Sequence, residues 1–181
     1  SGIFDSEEWR IVVLTKSSCP IVDERYFYRR IGRDYVECAT WRERAIVWLE
    51  QNPAQVIFIG STASYEFSRE QWTQGTRRIL DRLAPHTDAI YVIEANPTVA
   101  FDGPDCLSRR VREKCQGEPA STRYPQVAEY LHQAIAQQPK AHWLETASFV
   151  CPDGKCQAMR TIGGRDIVMF RDKQHLTASF A

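Results

Sequence analysis

Three runs of almost uninterrupted apolar residues, WRIVVLT at 9–15, AQVIFIG at 54–60 and AIYVIEA at 89–95, alternate with longer stretches where apolar positions recur every three or four residues. Short continuous apolar runs predict strands buried on both faces, and the stretches of helical period between them predict crossover helices. HWLETASFV at 142–150 is a fourth run, less apolar, and predicts a strand nearer a sheet edge. The alternation predicts an α/β domain with a mainly parallel sheet.

Each helix carries its own punctuation. TWRERAIVWLEQN has Thr40 and Glu43 at capping-box spacing, with Trp41, Ala45, Trp48, Leu49 and Asn52 on one helical face. SREQWTQGTRRILDRLAP has Ser68 as N-cap with Gln71 three positions on, then Trp72, Ile79, Leu80 and Leu83 at helical spacing before Pro85. YPQVAEYLHQAIAQQP at 124–139 predicts a third helix, and HLTASFA the start of a last one. No internal repeat or low-complexity linker interrupts the pattern.

Two connections are far longer than usual: SSCPIVDERYFYRRIGRDYVEC at 17–38, and the excursion from Asn96 to Thr122. Both leave the carboxyl end of an expected strand, where open α/β sheets place their ligands.

With 181 residues the chain fits one domain with a sizeable core. Its 23 Lys plus Arg balance 23 Asp plus Glu, so no overall field attracts nucleic acid, and a neutral or small substrate is the better expectation. No apolar run approaches the roughly 20 residues that cross a bilayer, and SGIFDSEEWR has neither a basic nor an apolar leader region, so the chain is expected to be soluble. It begins close to a strand-like run and reads as a mature product or a fragment.

The six cysteines fall as three neighbouring pairs, Cys19 with Cys38, Cys106 with Cys115 and Cys151 with Cys156. Local disulfides are the natural reading, most directly in CPDGKC, where Pro-Asp-Gly is a turn that can bring flanking cysteines together. Free buried thiols and zinc are the alternatives, although no pair has C-x2-C spacing and His132 and His142 lack a partner motif. Disulfides would place the chain in an oxidising compartment, periplasmic or extracellular.

The closing stretch VMFRDKQHLTASFA sets Asp172 and His175 three positions apart in a polar turn. A carboxylate beside an imidazole fixes its tautomer and favours the imidazolium, as a general base needs after taking a proton from a hydroxyl. D-x-x-H is a weak pattern, and spacing alone favours a solvated turn with Asp172 as N-cap and His175 facing water. LTKSSCP, YVECATWRERA, PAQVIFIG, SREQWTQGTRRIL, DCL followed by Cys115, CPDGKC and above all FRDKQHLTASFA give it context. With these blocks the chain resembles the periplasmic SGNH domains fused to acyltransferase-3 membrane domains in bacterial O-acetyltransferases of surface polysaccharides, over nearly its whole length.

That resemblance implies a three-layer α/β/α, flavodoxin-like sheet over residues 1–181, and makes Asp172 and His175 two members of a Ser-His-Asp triad. The serine belongs in a G-D-S block after the family's first strand, and this chain has no such block. Ser6, in FDS, precedes the first apolar run and does not fit a nucleophile turn. In a 2-1-3-4-5 strand order the absent first strand would lie between 9–15 and 54–60. The expectation is therefore a domain incomplete at its N-terminus and inactive alone, its strand and serine either cut away, held by a separate N-terminal fragment, or replaced by a different arrangement.

The resemblance also implies oxyanion donors in the turns after the next two strands, where Ser17, Ser18, Gly60, Ser61 and Thr62 stand. Tyr26, Tyr28, Arg29 and Tyr65 are candidates for sugar contact. No cofactor and no metal is expected. The implied partners are an acyltransferase-3 transmembrane domain and a polysaccharide or lipid-linked glycan acceptor, at the periplasmic face of a bacterial inner membrane. A carbohydrate esterase on the same scaffold and an inactive domain that binds glycan or protein are the competing functions.

Overall fold

The computed structural model of the chain describes residues 7–180. Ser6 lies outside the described residues. The elements run β1 (Phe27–Tyr28), β2 (Arg33–Asp34), α1 (Val36–Gln51), β3 (Ala54–Ile59), α2 (Arg69–Leu83), β4 (Thr87–Ile93) and α3 (Gly103–Arg109), then β5 (Gln116–Gly117), α4 (Arg123–Ile135) and β6 (Ala141–Leu144). The chain finishes with α5 (Ala147–Val150), β7 (Cys156–Gln157), β8 (Met159–Ile162) and β9 (Arg165–Val168). No helix among the described residues is long and apolar enough to cross a membrane.

The centre is a three-stranded parallel sheet in the order β3-β4-β6, with Ile57 opposite Ile90 and Val92 opposite Trp143. Ile57, Ile59, Ile90 and Val92 are buried against Trp72, Ile79, Leu80 and Leu83 of α2 and Val127, Leu131 and Ala134 of α4. Ile46 of α1 joins the same cluster, and Arg82 of α2 binds Glu43 and Glu50 of α1. The described helices α1, α2 and α4 thus share one face of the sheet. The parallel α/β architecture is the one expected from the sequence, although of its two helical layers the described residues form one.

α2 follows its sequence signals closely. Ser68 Oγ accepts from Gln71 N at 3.1 Å, Gln71 Oε1 accepts from Ser68 N at 3.0 Å, and the helix passes at Ala84 into a 3-10 turn through Pro85. Gly75 lets the chain at Val22–Glu24 lie across it, because a Cβ at Gly75 would come within 2.6 Å of Val22 Cγ1.

Four expectations are corrected. Residues 9–15 form no strand: a ladder needs an adjacent partner, and this run flanks a groove beside β3 rather than pairing with it. α1 starts at Val36 rather than at Thr40, since the Cys19–Cys38 disulfide and the Tyr35 N–H donated to Tyr26 O at 2.8 Å fix the chain earlier than the local capping signal. The fourth run stops as a strand at Leu144, because the Glu94 carboxylate accepts Thr146 N at 3.0 Å and Ala147 N at 2.8 Å and thereby starts α5. HLTASFA is not a helix: Phe170 bridges Leu176 antiparallel, and Thr177 N donates to Met169 O at 3.0 Å.

All three cysteine pairs are disulfides, with S–S distances of 2.01, 2.05 and 2.04 Å. Arg42, buried in α1, donates to Pro20 O and Glu24 O and anchors the first long connection. The second connection and the tail share a separate core of Val99, Val150, Cys151, Cys156, Met169 and Phe170.

Candidate active site

The last strand, β9, delivers the chain to Met169 and Phe170, both fully buried. Burying two such side chains is worth about 1.5–3 kcal/mol each, which holds the root of the following turn. Gly103, at the start of α3, abuts this root closely: a Cβ there would lie 2.3 Å from Phe170 O. Beyond it the turn is closed by Arg171 N donating to His175 O at 2.8 Å. Val99 N donates to Lys173 O at 2.8 Å, tying the turn to the connection that leaves the carboxyl end of β4.

Within that frame one carboxylate organises the turn. Asp172 Oδ1 accepts from Gln174 N and His175 N, both at 2.9 Å, and Oδ2 lies 2.8 Å from His175 Nδ1. Partial desolvation pushes the Asp172 carboxyl up, but the two amide donors and the imidazole outweigh it and hold it at about 2. An ionised carboxylate only accepts, so Nδ1 carries the proton and donates, leaving Nε2 as the basic nitrogen. His175 remains half open to solvent, and among the described residues no hydrogen bond is made at its Nε2. A poised imidazole beside an anion, with a free basic nitrogen, can take a proton from an alcohol or water.

The candidate oxyanion residues fall into two turns. Gly60, Ser61 and Thr62 follow the carboxyl end of β3, on the same end of the sheet as the connection that holds the Asp172 turn. Ser17 and Ser18 lie beyond the run 9–15. Ser18 has a positive φ of 54° and its hydroxyl shares a 2.9 Å hydrogen bond with Tyr28 Oη, while Tyr35 Oη donates to Ser17 O at 3.3 Å. Thr62 Oγ1 accepts from Ser64 N and pairs with the Ser64 hydroxyl. No described hydrogen bond, ion pair or ring contact joins either turn to Asp172 or His175.

Of the candidate sugar contacts, Tyr26 stacks on Tyr28 at 5.7 Å and meets Tyr65 edge-on at 5.0 Å. Tyr65 is only 8% exposed, and burial followed by the neighbouring phenols pushes its hydroxyl up to about 12. Its ring is therefore core, whereas Tyr28 is half-buried and Arg29, paired with Glu66 at 2.6 Å, stands on the surface. Among the described residues no group of three His, Cys, Asp or Glu side chains gathers closely enough to hold a metal ion.

Two residues that shape the site's end of the sheet escaped the sequence reading. Arg123, first in α4, donates to Ala63 O at 3.2 Å, Tyr65 O at 2.7 Å and Phe67 O at 3.1 Å, fixing the loop that follows β3. A cation at a helix N-terminus opposes the macrodipole, and that mismatch was the available signal. Glu94, closing β4, orders the turn after β6 and had no local signature.

A family model described as "SGNH domain (fused to AT3 domains)" matches residues 2–181. A comparison with curated proteins returns no match. Among solved structures, the periplasmic domain of the lipopolysaccharide acetyltransferase of Salmonella ser. Paratyphi A is similar, with a TM-score of 0.63 and 13% identity over 87% of this chain. At that identity the likeness is one of fold, and the chain spans 62% of the length of that structure.

Proposed function

The chain belongs to the family of SGNH domains fused to AT3 domains, and from that membership we propose that it is the acyl-transferring part of an O-acetyltransferase acting on a cell-surface polysaccharide. The observation that carries the reading is the Asp172–His175 pair, with Nδ1 engaged by an ionised carboxylate and Nε2 free. Residues 1–181 contain no G-D-S block, so the reading takes the serine from polypeptide outside them.

In this reading His175 Nε2 removes the serine proton as its oxygen attacks the acetyl donor, and Asp172 stabilises the imidazolium. The proton passes to the leaving group as the acetyl-serine forms. A sugar hydroxyl then gives its proton to the same nitrogen and takes the acetyl group, restoring the serine. The amides or hydroxyls of Ser17, Ser18, Gly60, Ser61 and Thr62 are the candidates for stabilising the oxyanion of each step. In this reading the surface residues Tyr28 and Arg29 meet the glycan, and Tyr26 and Tyr65 pack behind Tyr28.

An AT3 membrane domain supplies the acetyl group in this scheme, and three disulfides favour a periplasmic location. The test is the acetyl content of the surface polysaccharide made by cells carrying the full-length protein. His175→Ala should abolish acetylation at equal protein level; an unchanged acetyl content would sink the proposal. Acetyl ester cleavage to water by the purified full-length protein, without transfer to glycan, would instead make it an esterase.

A further inference from the structure

The second long connection carries a charge pattern that the acyl-transfer scheme leaves unused. Residues 109–114 hold four cations, Arg109, Arg110, Arg112 and Lys114, against Glu113 alone, in a chain whose charges balance as a whole. They lie where α3 gives way to extended backbone at Arg110 and Val111 and the chain turns back through a 3-10 turn at Arg112–Lys114. In that corner Arg109, Arg110, Val111 and Lys114 line a cleft of about 350 Å³.

Like charges in one cleft repel, and the fold holds them together. The Cys106–Cys115 disulfide closes the loop that carries them, so the cost of gathering the cations is met before any ligand arrives. Arg112 is the tether: its guanidinium donates to Asp166 at 3.1 Å and to Thr161 at 3.2 Å, which fixes the loop to β8 and β9. Arg109 pairs with Asp105 at 2.8 Å across one exposed helical turn, a kind of pair that contributes little and leaves the guanidinium able to take a stronger anion. Among the described residues the side chains of Arg110 and Lys114 make no hydrogen bond or ion pair.

Three cations with no carboxylate in the lining make an anion site, and the donor set says which anion. A carboxylate is one charge on two oxygens, which a single Arg fork satisfies. A phosphate spreads up to two charges over three oxygens and takes Arg forks and a Lys point charge together. An anionic bilayer fits less well, because Asp105 and Glu113 stand beside these cations and an extended negative surface would meet them too. Val111, 60% exposed, is also the single apolar side chain in the lining, too little for insertion among lipids.

We propose that Arg109, Arg110 and Lys114 form a subsite for a phosphate group carried by the glycan acceptor. The seven residues of α3 span about 10 Å. Its first residue, Gly103, packs on Phe170 at the root of the Asp172–His175 turn, and its last, Arg109, lines the cleft. One part of an acceptor can thus be gripped by its phosphate while a hydroxyl on another part reaches His175. The inference rests on the proposed function for the identity of the acceptor and on the cleft alone for the phosphate.

The experiment follows phenylglyoxal modification of Arg110 by mass spectrometry in the full-length protein in detergent, at fixed ionic strength, with Arg44, exposed on α1, as the control for general screening. Saturating glucose 1-phosphate should slow modification of Arg110 about tenfold, glucose should not, and Arg44 should respond to neither. Lys114→Gln, at an exposed position, should keep the melting temperature and lose most of that protection. Absence of protection, or equal slowing at Arg44, overturns the proposal. So does equal protection by glucuronate, which would make the site one for carboxylates, and protection by inorganic phosphate without any by glucose 1-phosphate, which would make it a site for the free ion. Protection in phosphatidylglycerol vesicles without any by glucose 1-phosphate would assign the cleft to the membrane surface. The readout needs no turnover, so protection in a protein that fails to acetylate polysaccharide would leave the subsite standing and remove the proposed function, and acetylation without protection would do the reverse.

Discussion

Asp172 holds His175 by both its backbone and its ring, accepting the amide at 2.9 Å and Nδ1 at 2.8 Å. The same carboxylate that shapes the turn therefore sets the tautomer of the imidazole, so the orientation of the base and the local fold cannot be separated.

Asp172→Asn keeps an acceptor for the amides but can turn an N–H toward Nδ1, which disfavours the tautomer with a basic Nε2. Acetyl transfer by the full-length protein should fall about 10²- to 10⁴-fold, with the far-ultraviolet circular dichroism of the domain unchanged. A loss of less than threefold would separate Asp172 from the chemistry.

The lowered carboxyl of Asp172 has a definite sign in acid. Its stabilisation of the turn is complete above the ordinary carboxylate value of about 4 and fades as pH falls toward its folded value of about 2. Amide exchange at Gln174 and His175 should therefore accelerate between those limits, beyond its intrinsic pH dependence, and Asp172→Asn should abolish the extra step. The same acceleration in both proteins would show that another group opens the turn.

Arg123→Ala removes three hydrogen bonds from a cation to partly buried carbonyls. The expected loss is about 2–4 kcal/mol of stability in urea unfolding. Hydrogen exchange should rise first in the loop 60–67. Arg123→Lys, with a point charge in place of a fork, should recover less than half of the loss.

Ser68→Ala removes the side-chain half of the capping box of α2 and should cost about 1 kcal/mol, measured by thermal or urea unfolding. Ser68→Gly should cost only a few tenths. An equal loss for both would assign the effect to something other than the missing cap acceptor.

Local physics made much of this chain legible. The apolar runs at β3 and β4, the Ser68–Gln71 box and the close-set cysteines each depend on neighbours in sequence, and each appears where the pattern places it. The Asp172–His175 contact is of the same kind, because three residues of spacing put the two groups within reach in any tight turn. The family blocks added the meaning of that contact, which spacing could not.

What only the tertiary structure decided depends on partners distant along the chain. Residues 9–15 are apolar enough for a strand, yet without an adjacent ladder they stay an exposed wall of a groove. HLTASFA predicts the start of a helix, but the Leu176 bridge to Phe170 and the Thr177 N–H donated to Met169 O hold its first part out of one, and residues 178–180 close in a turn. Arg123 and Glu94 gain their roles by reaching loops some fifty to sixty residues away, across distances that no periodicity records. A sequence specifies which residues can pair or pack, whereas the available neighbours determine which of those possibilities is realised.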